Sequence, residues 1–249
     1  TVGAGQSLSA NYSAAGYSAP ATLTIENGGV VTTTSDFFIG CLGQGSVNLS
    51  GGGSLLDVDD VLHVGYAHVG SLMVSGGADV ISDEGQMGHF SGSNGTATLS
   101  DSGTTWTNAT WLRIGENGPG QVTINPGAML TNHGNAFVDS NGTLTIAGGE
   151  FDANADVYVT GGRLERTSGT FDLASGGKLR VENGGEAHFT GTWSSNGHTI
   201  EVDGTAGSML QTTDQFYVGN GAPSTLSVTN GGQVAAYSMR IAYQSAADG

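Results

Sequence analysis

The side chains with the most evident chemical capacity are carboxylates. Asp57, Asp59 and Asp60 form the densest acid group in the chain, and Asp79, Asp83 and Glu84 follow shortly after. Hard oxygen ligands of this kind can hold Ca2+, and two suitably spaced carboxylates can hydrolyse a glycosidic bond. A polysaccharide lyase would also need a base beside its acids, and no Lys or Arg occurs before Arg113. The acids therefore read as solvated corner residues, with Asp57, Asp59 and Asp60 kept as weak Ca2+ candidates and no other cofactor expected. His63, His68, His89, His133, His188 and His198 show no metal-ligand spacing. No Gly-x-Ser-x-Gly elbow partners a His and an Asp. Cys41 is the single cysteine, which excludes an intramolecular disulfide framework. No catalytic residue is assigned, and the expectation is a protein that is not an enzyme.

Composition narrows the class. Six basic residues against 22 acidic ones leave a net charge of -16. Six scattered cations cannot make the basic stripe that nucleic acid requires, and the same balance disfavours an anionic membrane surface. No apolar run is long enough to span a membrane. The 44 glycines among 249 residues are more than twice the usual share of ~7%. In helices they would cost ~1 kcal/mol each, while 37% hydrophobic residues spread along the chain argue against disorder. An all-β chain of short strands joined by glycine turns remains. It begins at Thr1 without Met or a signal segment, so the expectation is a chain processed or excised from something longer.

Self-similarity decides the architecture. A phrase apolar-x-apolar-x-x-Gly-Gly starts at Leu23, Val47, Leu72, Val122 and Leu144, with a looser copy at Ala97 and later copies at Leu179, Ile200 and Leu226. A second phrase, apolar-x-apolar-Gly, reads Phe37-Phe38-Ile39-Gly40, Leu62-His63-Val64-Gly65, Leu112-Arg113-Ile114-Gly115 and Phe216-Tyr217-Val218-Gly219. The pattern predicts a right-handed parallel β-helix (β-solenoid) with three short strands per ~24-residue rung and nine to ten rungs, roughly 45 Å long. It is one segment over 1–249: a cap or incomplete rung over 1–21, regular rungs over 22–146, irregular rungs over 147–198, and regular rungs over 199–249. The Asn-Gly pairs at 27–28, 183–184 and 230–231 are expected at corners that need positive φ. The chain end at 241–249 stops where a further strand should begin. An open end of this kind is a template for another chain, so head-to-tail stacking with a second copy is the expected partnership.

Aligned by rung, the outward positions of the second phrase form a column: Phe38, His63, Gln86, Arg113, Phe137, Tyr158, Tyr217 and Arg240. Its rings, Phe38, His63, Phe137, Tyr158 and Tyr217, are the candidates for stacking on cell-surface or matrix glycans. Plain ladder stabilisation is the competing reading. Five Asn-x-Ser/Thr sequons, at Asn11, Asn48, Asn94, Asn108 and Asn141, are expected to stay mostly unmodified.

The run Gly95-Thr96-Ala97-Thr98-Leu99, Gly103-Thr104-Thr105-Trp106-Thr107-Asn108, Leu112-Arg113-Ile114-Gly115, Gly120-Gln121-Val122-Thr123-Ile124 resembles repeats of bacterial type V autotransporter passengers and PEP-CTERM-associated exported proteins. The resemblance covers about 22–146 and 199–249. It implies an exported bacterial protein, secreted or on the cell surface, serving as a segment of an acidic structural fibre or as an adhesin. The family carries no shared catalytic residues. No membrane-barrel segment and no Pro-Glu-Pro sorting tail are present in the sequence.

Overall fold

Alternating apolar and polar residues, punctuated by Gly and Asn, build strands too short to bury an apolar face alone, so each rung stacks on the next. The computed structural model describes residues 1–241, and no helix occurs among them. Every strand ladder in it is parallel, and three faces repeat around the solenoid over about ten rungs. On the first face lie Ala21–Glu26, Gly45–Ser50, Val69–Ser75, Asn94–Leu99 and Gly120–Ile124. Their inward column runs Leu23, Val47, Leu72, Ala97, Val122, Leu144, Leu164, Ala187, Leu210 and Val234 in unbroken register. The N-terminal residues complete a rung of their own: Val2 bridges to Ile25, Ser7–Ala10 pairs with Val30–Thr33, and Ser13–Ala15 with Phe37–Ile39.

The later copies of the first phrase change face. Leu179, Ile200 and Leu226 continue a column that descends from Leu112 through Ala136 and Val157, on the third face. The sequence pattern placed them on the ladder of Leu23. Rung length explains the shift. The step in the first-face column is 25 residues from Ala97 to Val122, then 22 to Leu144 and 20 to Leu164. The lost residues come from the corners: Gly142–Ala153 and Arg163–Leu173 pass from the first face to the second as single strands, with register shifts after Ile146. Once a corner is lost, the same Gly-Gly punctuation closes a different face. Gln215–Val218 moves as well, into a three-stranded sheet with Trp193–Ser195 and Ser238–Ile241.

Rings bridge the two sheets inside. Phe151 stacks on Phe171 at 5.9 Å, Phe171 lies 6.1 Å from Trp193, and Trp193 stacks on Phe216 at 5.3 Å. Phe189 fills the space beside them, 4.5 Å from Trp193. In the regular rungs the core also carries polar groups. The Trp106 indole N–H donates to Ser82 Oγ at 3.0 Å, and the Ser82 hydroxyl bonds Asn108. Asn108 is wholly buried, so its sequon is inaccessible in the folded chain.

Backbone geometry fits the corner residues. Asn27-Gly28, Asn183-Gly184 and Asn230-Gly231 all have positive φ at both positions, as a type I′ turn demands. Gly65, with φ 72°, sits where a Cβ would collide with the backbone of Asn94 in the next rung.

Phe171→Ala removes one of the two rings, with Phe189, that meet Trp193 of the smaller sheet, and the expected loss is ~3–5 kcal/mol, read as a fall in the urea midpoint. A loss below ~1 kcal/mol would show that the ring column carries little of the stability.

Candidate functional site

The third face holds the predicted ring column, over Phe37–Ile39, residues 62–64 and 85–87, Leu112–Ile114, Ala136–Asp139 and Val157–Thr160. Phe38, His63, Gln86, Arg113, Phe137 and Tyr158 are successive register partners along it. Below Tyr158 the column continues through Arg180, Glu201 and Ser227. Tyr217 is not part of it. It pairs with Arg240 in the smaller sheet, because the rung shortening moved its phrase to another face.

The upper part of the column is covered. Phe38, His63 and Gln86 are at most 7% exposed, where the alternation had placed them in solvent. The residue that follows each strand-ending glycine folds back over them: Tyr66 after Gly65, His89 after Gly88 and Glu116 after Gly115. Phe38 and His63 stack at 4.6 Å, and Tyr66 meets Phe38 edge-on at 4.7 Å. Tyr66 stacks on His89 at 5.1 Å and meets Phe90 edge-on at 4.9 Å, while Tyr12 lies 5.2 Å from Phe38. Glu116 closes the group by accepting from Gln86 Nε2 at 2.8 Å and contacting His89 Nδ1 at 2.8 Å. Tyr12, Tyr66, Phe90 and Glu116 were absent from the sequence-derived set. Aligning the residue after each strand-ending glycine, rather than the strands alone, would have found Tyr66 and Glu116.

Farther along, Phe137 and Tyr158 stack at 5.2 Å. The Arg113 guanidinium lies 5.4 Å over the Phe137 ring and is fixed by Asp139 at 2.6 Å. Both faces of Phe137 therefore meet protein, and the pair offers ring edges to solvent.

The aspartates do not converge. Asp57 points outward on the second face between Thr32 and Ile81. Its carboxyl is raised by burial and then by Asp59. Asp60 instead approaches Asp36 and Glu84 of the neighbouring rungs. Burial raises Asp36, against the Val61 N–H that it accepts at 3.4 Å, and Asp60 adds to the rise. Glu84 is raised by burial first, with Asp83, Asp60 and Asp36 contributing. Among the described residues no three His, Cys, Asp or Glu side chains are arranged to hold a metal ion. Cys41 is buried, which raises its thiol.

No family model matches the sequence, and no curated protein matches it. Among solved structures, the chain is similar to the crystal structure of a TibC-catalysed hyper-glycosylated TibA fragment. The two share 17% identity over 94% of this chain and 97% of that one, with a TM-score of 0.32. Similarity at that level assigns no function to this chain. By its own ladders the chain is a β-solenoid.

His63 gives the cluster a pH dependence. Its pKa is lowered to about 4 by burial and by His89. Its Nδ1 has no partner, and its Nε2 lies 3.9 Å from Asp36. Between pH ~6.5 and ~4 the unfolded chain binds a proton at this residue that the folded chain does not, so stability falls as pH drops through that window, by on the order of 3 kcal/mol. The raised Asp36 and Glu84 act in the opposite sense, so the difference between wild type and His63→Gln isolates the histidine. The variant should lose less stability across the window in urea titrations. Parallel curves would refute the assignment.

Proposed function

We propose that this chain is a structural segment of an extracellular bacterial surface fibre, exported from the cell and assembling end to end by β-solenoid stacking. One observation carries the reading. Val228, Met239 and Ile241 continue the inward columns of Val202, Phe216 and Val218. Those three partners are at most 2% exposed, whereas Val228, Met239 and Ile241 are 45%, 39% and 70% exposed. At the other end Leu8, inward above Val31, is 46% exposed. Each end thus offers apolar side chains in the positions where a further rung would bury them, and a contact of one end on the other does not close. Residues 241–249, which the sequence pattern singled out as the open end, lie outside the described residues beyond Ile241.

The ladder chemistry fits a mechanical role. Cations are spent on neighbouring rungs: Arg113 on Asp139 at 2.6 Å, Lys178 on Glu201 at 3.0 Å, and Arg163 on Glu186 at 2.8 Å. Such pairs set which rung faces which.

Negative-stain microscopy and light scattering of the purified chain test the reading. Filaments that lengthen with concentration, and that Ile241→Lys abolishes without lowering the melting temperature, are expected. Short rods of monomer mass at every concentration would overturn it and leave the apolar ends to further rungs of a longer chain.

A further inference from the structure

The first four rungs carry a surface that the fibre reading leaves unused. Where the third face hands over to the first, the corners lay apolar side chains outward, with Tyr17 55% exposed, Leu42 57% and Phe90 44%, and Tyr12, 50% exposed, stands at the corner that leads into the third face. The Leu42 N–H donates to the Tyr17 carbonyl, and the Phe90 N–H to the Tyr66 carbonyl, so these corners stack in line along the rod. Beneath them Phe38 and Tyr66 link Tyr12 to Phe90 through ring contacts of 5.2, 4.7 and 4.9 Å. The result is one connected aromatic strip that crosses the third face over the first four rungs. Contiguous apolar surface of this sort marks an interaction site.

Charge around the strip is predominantly negative. All six Lys and Arg residues lie at Arg113 or beyond, while nine of the 22 acids precede it. Two carboxylates touch the ring cluster from opposite margins: Asp36 Oδ2 is 3.9 Å from His63 Nε2, and Glu116 Oε2 is 2.8 Å from His89 Nδ1. The first cation, Arg113, is held by Asp139 at 2.6 Å and also reaches Glu116 at 3.6 Å, which leaves Asp36 as the carboxylate at the strip without a Lys or Arg partner among the described residues.

We propose that this strip binds a linear glycan carrying free amino groups. Pyranose C–H faces pack on Tyr and Phe rings, and ammonium groups are drawn both to ring faces and to the Asp36 carboxylate, which forms no ion pair with Lys or Arg among the described residues. Successive rungs lie ~4.8 Å apart, close to the rise of one β-linked sugar. An extended basic peptide shares the charge but repeats at ~3.3 Å per residue, out of step with the corners. An anionic polymer is repelled. The strip lies along the side of the rod and not at its ends, so this proposal stands or falls separately from end-to-end stacking.

Calorimetry at mildly acidic pH, where the amines are protonated, tests it with a fully deacetylated chito-hexaose, its N-acetylated counterpart and hexalysine. The deacetylated sugar should bind at least ~tenfold more tightly than the acetylated one, a difference of ~1.4 kcal/mol. Tyr12→Ala with Phe90→Ala, both exposed, should weaken that binding by at least ~tenfold with the melting temperature unchanged. Phe137→Ala with Tyr158→Ala should leave it unaltered. No binding of the deacetylated sugar, equal binding of the acetylated one, or hexalysine binding as tightly and insensitive to the strip variant would each overturn the proposal.

Discussion

Parallel pairing of successive rungs is the interaction on which everything else rests. It sets each residue ~4.8 Å above its counterpart one rung away, so a side chain's main neighbours are the equivalent residues before and after it. A column must then be uniformly apolar, or alternate in charge, or stack rings. Leu23 through Val234 obeys the first rule, Arg180 over Glu201 the second, and Phe137 over Tyr158 the third. Where the rule is broken, burial has consequences. Asp36, Asp60 and Glu84 stand on three consecutive rungs, where burial raises the carboxyls of Asp36 and Glu84 and Asp60 adds to both.

Rung length is the second variable, and it is set at corners. Strand positions tolerate almost no insertion, because one residue reverses inside and outside. Corners absorb the change. In the long rungs they extend outward and fold Tyr66, His89 and Glu116 over the strand column. In the short rungs around Gly142–Ala153 and Arg163–Leu173 the chain rounds the first corner without a turn. The interior compensates with larger side chains: Phe151, Phe171, Phe189 and Trp193 gather there.

The solenoid, the parallel ladders and the corner role of Asn27-Gly28 were legible because each depends on local alternation and glycine punctuation. The face that each phrase occupies was not. Leu179 and Tyr217 carry the same local words as Leu23 and Phe38, and only the sum of corner lengths between them fixes where they land. Exposure was misread for a related reason. Alternation shows that Phe38 and His63 leave the core, but not that a corner from the neighbouring rung closes over them. The aspartates failed as a set because Asp57 and Asp60 lie on opposite sides of a corner, so nearness in sequence did not become nearness in space.

The change of face between Leu144 and Leu179 is the most specific structural claim, and cysteine cross-linking reads it directly. Neighbouring parallel strands place register partners within the span of a disulfide. With Cys41→Ser as background, Tyr158→Cys paired with Arg180→Cys should oxidise rapidly and completely in the folded chain, and Thr145→Cys paired with Arg180→Cys, neighbours only if the phrases at Leu144 and Leu179 share a face, should not. Rapid closure of the second pair and not the first would mean that the phrases keep one face throughout, and the register described for the C-terminal rungs would be wrong.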